Sequence, residues 1–291
     1  MPIIVLNRED TSSSSHSDSK TSTSTPLSSS PSRKPKPPLD IIIREAKLSD
    51  LPHTAAITLR AYANDDVQLL IYPPSLVGEN QSSLHYETLT WHRQRFLSPN
   101  RTTLVALAPS DLSNHGSKLK IVGFASWNRL RGPGERRRRR AGQPTYPHDD
   151  NSILKCLELF LTSIVNLIWS YIWPQPNVTN WAGDSAYDRI VDKAKEELYR
   201  APRLQSRWEL KDLCVDPDYQ GLGIGGRLVD WGCARADEEG LACTLEASQE
   251  GVRLYLKKGF IKTRAEVVVD EKGYGGKAEV TFMIREPMGK K

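Results

Sequence analysis

Six residues, Gly221 to Gly226, follow the spacing G-x-G-x-x-G. Glycines at this spacing let the main chain approach a phosphate closely, and free amides at the start of a following helix bind anionic oxygens. Two ligand classes fit such a loop: a nicotinamide or flavin dinucleotide, or another molecule that carries a pyrophosphate. The elements around the loop must decide between them.

Those elements form a strand-loop-helix-strand-helix order. A strand is predicted over Trp208 to Val215, and a helix runs from Ile224 until Gly240, a typical C-terminal cap. Leu241 to Glu246 is a second strand, and a second helix ends at Gly259. This order predicts that the two strands are parallel neighbours.

A Rossmann loop is excluded by its surroundings. Its first glycine must follow the strand directly, with an acidic residue about twenty positions further on and about a hundred residues of further strands and helices. Glu246 meets the acidic requirement. However, Asp216 to Gln220 separate the strand from the first glycine, and the chain ends at Lys291. A P-loop is excluded too, because no Gly-Lys-Ser/Thr follows the glycines.

The segment from Gln220 to Gly225, QGLGIG, resembles the Q/R-x-x-G-x-G/A signature of the GNAT acetyltransferase superfamily. The preceding LCVDPDY is similar to the strand and turn before that signature, and Leu254 to Phe260, LYLKKGF, is similar to the family's L-Y-x-K-x-G-F segment. The resemblance covers Trp208 to about Glu286 and, more weakly, Ile41 to Trp127. It does not cover the tail or an insertion at 131–207.

This resemblance implies an α/β (α+β) fold with a mixed, mostly antiparallel central sheet, a splayed parallel strand pair and flanking helices. It also implies acetyl-CoA as co-substrate, with the pantetheine between the splayed strands and the pyrophosphate on the loop amides. A main-chain amide near the end of the first strand would stabilise the developing oxyanion. The residues implied in binding acetyl-CoA are Cys214, Val215, Gln220, Gly221, Leu222, Gly223, Ile224, Gly225 and Gly226.

Two side chains are candidates for catalysis. An amine with the reference pKa of lysine is mostly protonated at neutral pH, so a general base is useful. Glu209 stands where the family often has such a carboxylate, although it could also be a charged strand end. Tyr255 stands where the family supplies a proton to the departing thiolate, although it could be a packed helix tyrosine. Cys214 would allow an acetyl-cysteine route, but the resemblance implies direct transfer.

Other polar residues are secondary candidates. Strand alternation predicts that Asp212, a lesser candidate base, points to the face opposite Glu209. Glu246 is expected at a strand end near the acceptor channel, and Arg227 either near a phosphate or in solvent. Partners for the histidines and a metal-ligand spacing are not visible in the sequence, so we expect no metal site. The histidines considered are His53, His85 and His92.

The preceding part of the chain predicts a strand at Ile41 to Ile43 and a helix from Ser49-Asp50 through Tyr62. A second helix is predicted over Ser82 to Phe96. Thr103 to Ala108 and Lys120 to Trp127 then read as an antiparallel hairpin.

Composition sets the domain organisation. The 291 residues, 38% of them hydrophobic, can hold one large domain or two small ones, and we favour one domain with appendages. Residues 1–39, rich in Ser, Thr and Pro, are predicted to be a disordered tail. The resemblance implies that residues 40–288 form one acetyltransferase domain. Its insertion at 131–207 is predicted to hold a basic loop and amphipathic helices.

The insertion contains two unusual stretches. Arg136 to Arg140 are five consecutive arginines, from which the net charge of +5 arises. They fit a solvated loop, a nuclear-import signal or a contact with nucleic acid or another acidic partner. Ile153 to Trp173 is long enough to span a membrane, but its periodic polar residues favour a helix packed on the domain, on a partner or on a membrane surface. Asp184 to Tyr199 is predicted as an exposed helix.

The sequence thus predicts an N-acetyltransferase that moves the acetyl group of acetyl-CoA directly to a small amine or to a peptide or protein amine. The alternative is a non-catalytic acyl-CoA-binding scaffold that docks a partner or membrane through the inserted helix. Four scattered cysteines and no recognisable secretory signal lead us to expect a cytoplasmic location, with nuclear import as a further reading of the arginine run.

Overall fold

The structure is a computed structural model. It describes residues 40–98, 100–111, 118–133, 157–158, 160–165, 168, 172, 175–270, 274 and 276–289. The predicted tail at 1–39, the arginines at 136–140 and much of the helix predicted at 153–173 lie outside the described residues.

In the described part of the chain, seven strands form a mixed sheet in the order β1-β2-β3-β4-β5-β7-β6. Strands β4 and β5 are parallel, and the other neighbouring pairs are antiparallel. This confirms the predicted fold class. The strands are β1 (Ile42–Glu45), β2 (Arg101–Pro109), β3 (Leu119–Leu130), β4 (Arg207–Val215), β5 (Ala242–Ala247), β6 (Ile261–Val269) and β7 (Lys277–Arg285).

Helices cover both faces of the sheet. Among the described residues they include α1 (Leu51–Ala61), α2 (Asp66–Ile71), α3 (Pro74–Val77), α4 (Gln81–Leu97), α5 (Trp181–Leu198), α6 (Pro202–Gln205), α7 (Ile224–Glu239) and α8 (Gln249–Lys257). Helix α1 packs on Val105 and Phe124, while α7 packs on their neighbours Leu104 and Ala125. Because side chains alternate along a strand, α1 and α7 lie on opposite faces. No helix of the described residues is long and apolar enough to cross a membrane.

The predicted hairpin and the helices α1 and α4 are confirmed, but α5 differs from its prediction. An exposed helix was expected there, whereas Val191 and Ala194 of α5 are buried against Val280 and Phe282 of β7. The helix is highly charged, and its few apolar residues fall on one face, which packs on the sheet. The end of the insertion is therefore part of the core.

Strands β4 and β5 part before their ends. Their pairing runs from Arg207 opposite Ala242 to Leu210 opposite Leu245, while β4 continues to Val215. The splayed parallel pair that the resemblance implied is therefore present, with a gap beyond Leu210.

Candidate functional site

The glycine loop joins the end of β4 to α7 with an open surface above it. Gly221 and Gly223 have φ angles of 74° and 82°, a left-handed conformation that favours glycine. Gly223 is the N-cap of α7 and offers no side-chain cap, so the first helical amides are available to a ligand. A Cβ at either glycine would meet no atom within 4 Å. The loop thus fits a pyrophosphate.

Side chains hold the loop in place. The Gln220 side-chain amide donates to the Val215 carbonyl at 3.1 Å. Arg60 of α1 forms ion pairs with Asp216 at 2.8 Å and Asp218 at 2.9 Å. Ile224 is buried in the core, and Leu222 packs against it. These contacts fix the loop before any ligand binds, which lowers the entropic cost of binding.

Helix α8 packs on the first turn of α7 and adds a cation. A Cβ at Gly225 would lie 3.3 Å from Leu254 Cδ2, and one at Gly226 would lie 3.1 Å from Lys258 Cε. The Lys258 ammonium forms an ion pair with Asp230 at 2.6 Å. Lys258 therefore lies beside the loop, a position that the sequence pattern did not single out.

The main chain of β4 presents alternate residues to the gap. The Asp216 amide donates to the Val122 carbonyl of β3 at 2.8 Å, so by alternation Val215 and Leu213 turn their amides and carbonyls away from β3. Cys214 turns its peptide groups toward β3. Of the two residues predicted to offer an amide at the gap, the geometry therefore favours Val215.

The side chain of Cys214 is buried under α1. Its Sγ lies 4.0 Å from Thr58 Oγ1. Burial raises the pKa of this thiol to about 12. At neutral pH it is a protonated thiol, which is a poor nucleophile.

Two phenols lie near the gap. Tyr255 of α8 is buried edge-to-face with Phe260, with ring centroids 5.9 Å apart. The Tyr62 hydroxyl, just after α1, donates to the Leu213 carbonyl at 3.2 Å. Burial is the main cause that raises the pKa of both phenols, and Cys214 adds to it. Both stay protonated at neutral pH. The sequence pattern missed Tyr62, since only the tertiary contact with β4 reveals it.

Glu209 and Asp212 are both buried in β4. A bulge leaves Lys211 without a partner on β3, since Ser126 lies opposite Asp212 and Trp127 opposite Leu210. The extra residue shifts the alternation, so Glu209 and Asp212 share one face. The prediction of opposite faces is therefore wrong.

The two carboxylates share a cationic environment. Asp212 lies 3.0 Å from Arg95 and 3.5 Å from Arg101. Glu209 lies 3.5 Å from the Lys211 ammonium and 3.9 Å from Arg207. Burial lowers the pKa of Arg101, and both carboxylates oppose that shift, which places both near this guanidinium.

The secondary candidates occupy different places. Glu246 of β5 forms an ion pair with Lys195 of α5 at 2.9 Å, and Arg227 is exposed.

His92 lies between Thr54 and Thr58, with its ring nitrogens 3.3 and 2.8 Å from their hydroxyls. Burial lowers the pKa of His92 to about 4. The described ranges contain no group of three His, Cys, Asp or Glu side chains that could hold a metal.

Comparisons with known proteins find similarity in the part of the chain that carries this site. The profile of the acetyltransferase (GNAT) domain matches residues 185–262, which include β4, the loop, α7, β5 and α8. An uncharacterized N-acetyltransferase of Schizosaccharomyces pombe is 39% identical over 75 residues, which are 26% of this chain and 32% of that protein. The match thus spans about a third of the relative's length.

Two solved structures align with most of this chain. A histone acetyltransferase HPA2 and related acetyltransferase from Corynebacterium glutamicum is 16% identical, with 86% of this chain and 98% of that chain covered and a TM-score of 0.46. The yncA protein of Salmonella typhimurium, solved with its cofactor acetyl-CoA, is 17% identical, with 84% and 93% covered and a TM-score of 0.42. Residues 185–262, which include the loop and the strands that border the gap, are therefore similar to an acetyltransferase (GNAT) domain.

Proposed function

We propose that the protein transfers the acetyl group of acetyl-CoA to an amine. The observation that carries the proposal is the position of the β4–β5 gap, which opens after Leu210 and ends beside the amides of Gly221 to Gly226. The loop that could bind phosphate and the unpaired edge of β4 are therefore adjacent. A molecule with a pyrophosphate at one end and amide groups in its arm is complementary to both.

The binding roles follow from the main chain. The amides of the first turn of α7 would hold the pyrophosphate, aided by the helix dipole and by Lys258. The outward peptide groups of Val215 would pair with the pantetheine arm, as another strand would. The Leu213 amide, nearer the point where the strands part, would face the thioester, which is the group that acetyl-CoA supplies to the reaction.

The proton transfers would be divided between two side chains. Glu209 lies one residue before the gap opens, and its carboxylate would accept a proton from the amine directly or through water. Tyr255 carries a protonated phenol from α8 and would donate to the departing thiolate. The cations beside the Glu209 carboxylate are Lys211 at 3.5 Å and Arg207 at 3.9 Å.

A thiol-release assay tests the proposal. The full chain is incubated with acetyl-CoA and a panel of acceptors: a small arylalkylamine, a polyamine, a peptide with a free N-terminus and a lysine peptide with a blocked one. We expect free CoA to appear with at least one acceptor, at a rate that falls in Glu209→Gln. Binding of acetyl-CoA without CoA release for every acceptor class would contradict catalysis and support the non-catalytic scaffold.

A further inference from the structure

The helical residues described between 157 and 172 expose an unusual number of large apolar side chains. Their exposed fractions run from 39% for Ile164 to 62% for Phe160. The side chains concerned, here called the apolar helix face, are Leu157, Phe160, Leu161, Ile164, Val165, Ile168 and Ile172. Contiguous apolar surface of this kind marks an interaction site.

The polarity of this helix is reversed relative to an ordinary surface helix. At about 100° per residue, the seven side chains fall on one face about 140° wide. Of the described residues off that face, Thr162 is 5% exposed, Glu158 is partly buried and Ser163 is exposed. A helix that served only to cover the domain would bury the apolar side and expose the threonine. The apolar helix face is therefore directed away from the domain and is available to bind another surface.

The composition of the surrounding sequence favours lipid over a protein partner. From residue 159 to residue 183 the sequence has no charged side chain, whereas protein interfaces carry a polar rim. Trp169, Tyr171 and Trp173 stand near the end of the segment, and Trp181 at the start of α5 is 63% exposed. Trp and Tyr are the residues enriched where membrane meets water.

The charge of the preceding sequence indicates the kind of lipid. The arginines at 136–140 lie outside the described residues, but their charge follows from the sequence alone. Clusters of basic residues next to an amphipathic helix are attracted to anionic headgroups. Charge and apolar surface together are complementary to a membrane that contains acidic phospholipid.

We propose that the apolar helix face binds the surface of an anionic membrane, with the helix lying in the interface rather than crossing it. The proposal concerns where the protein is held and is independent of acetyl transfer. It assigns the insertion the role of a peripheral anchor.

Vesicle sedimentation tests this proposal. The full chain is mixed with vesicles of phosphatidylcholine alone or of phosphatidylcholine with phosphatidylserine, at low and high salt. We expect sedimentation with the anionic vesicles to exceed that with neutral ones and to fall with salt. The variant Phe160→Glu/Val165→Glu should bind at least tenfold more weakly.

A matched control separates the helix from general surface hydrophobicity. Val267→Glu/Val269→Glu changes two valines of β6 that are 46% and 47% exposed, and it should bind vesicles like the wild type. Circular dichroism and acetyl-CoA binding check that both variants are folded. No wild-type sedimentation with anionic vesicles, or equal binding by the helix variant, would overturn the proposal. A third outcome is that the wild type does not bind vesicles and forms a dimer, and that the helix variant is a monomer. The apolar helix face would then be a contact between two copies of the chain, which would also overturn the proposal.

Discussion

The Tyr62 hydroxyl donates to the main-chain carbonyl of Leu213 across 3.2 Å, where β4 has already parted from β5. The Tyr62 phenol is thus hydrogen-bonded to the strand that borders the gap. Tyr255 lies on α8, which follows the glycine loop in the chain. Two protonated phenols are thus available, and their contacts give them different roles. Tyr62 shapes the gap, and Tyr255 is the proton donor that we propose.

Replacing each phenol distinguishes these roles. Tyr255→Phe should lower kcat about a hundredfold, because general acid catalysis is lost, with little change in the binding of acetyl-CoA. Tyr62→Phe should cost about 1 kcal/mol of unfolding free energy, because one buried hydrogen bond is lost, and should change kcat far less. Steady-state kinetics and denaturant unfolding of both variants check this. A larger kcat loss in Tyr62→Phe would reverse the assignment.

Substitutions of the two buried carboxylates of β4 should affect different properties of the protein. Glu209→Gln keeps the shape of the side chain and should lower kcat about a hundredfold if Glu209 is the base. Asp212→Asn removes the charge that faces the buried Arg101 and should cost about 3 kcal/mol of unfolding free energy. Turnover and thermal unfolding are measured for both. Unchanged turnover in Glu209→Gln would remove it from the mechanism.

Cys214 provides a test of direct transfer. Its thiol is buried and has a pKa raised to about 12, so it is not available as a nucleophile at neutral pH. Cys214→Ala should therefore retain kcat within about threefold, apart from a stability loss from the small cavity. Mass spectrometry of the wild type with acetyl-CoA alone should show no acetyl adduct. An adduct absent from the variant would support the acetyl-cysteine route instead.

His92 should make stability depend on pH. Burial lowers its pKa from 6.5 to about 4, so between these values the unfolded chain binds more protons than the folded one. This contribution is complete above pH 6.5 and is lost as the pH falls toward 4, by at most about 3 kcal/mol. Denaturant unfolding across this range measures it. His92→Gln should flatten this part of the profile, and an identical slope in both proteins would contradict the assignment.

Local patterns predicted much of this protein. The hairpin β2–β3, the strand before the loop and the helix after it follow from periodicity, turn residues and glycine positions that lie close in sequence. The resemblance implied the splay, which the β4–β5 register confirms. Functional roles for the predicted site residues stay predictions, although the structure brings Glu209, Val215 and Tyr255 to the region of the gap.

Other features depended on tertiary structure. The bulge at Lys211 follows from how β4 pairs with β3, and simple alternation therefore gave the wrong face for Asp212. The packing of α5 on β7 joins residues about ninety positions apart, so the sequence of α5 shows an apolar face but not the strand on which that face packs. The contacts of Tyr62, Lys258 and His92 likewise join distant segments.

The central claim, that the glycine loop binds acetyl-CoA, has a matched pair of variants. Gly223 and Gly240 are the two caps of α7, both have positive φ angles, and a Cβ at either would meet no atom within 4 Å. Valine at either position should cost about 1–2 kcal/mol from the strained backbone. Only Gly223 belongs to the loop that faces the gap.

The most direct measurement is calorimetric titration of acetyl-CoA, desulfo-CoA and NADH into the wild type, Gly223→Val and Gly240→Val. The account predicts that the wild type and Gly240→Val bind acetyl-CoA and desulfo-CoA at micromolar strength and ignore NADH, while Gly223→Val loses binding at least tenfold. If the wild type does not bind acetyl-CoA, or if both valine variants lose binding equally, the loop is not its phosphate site.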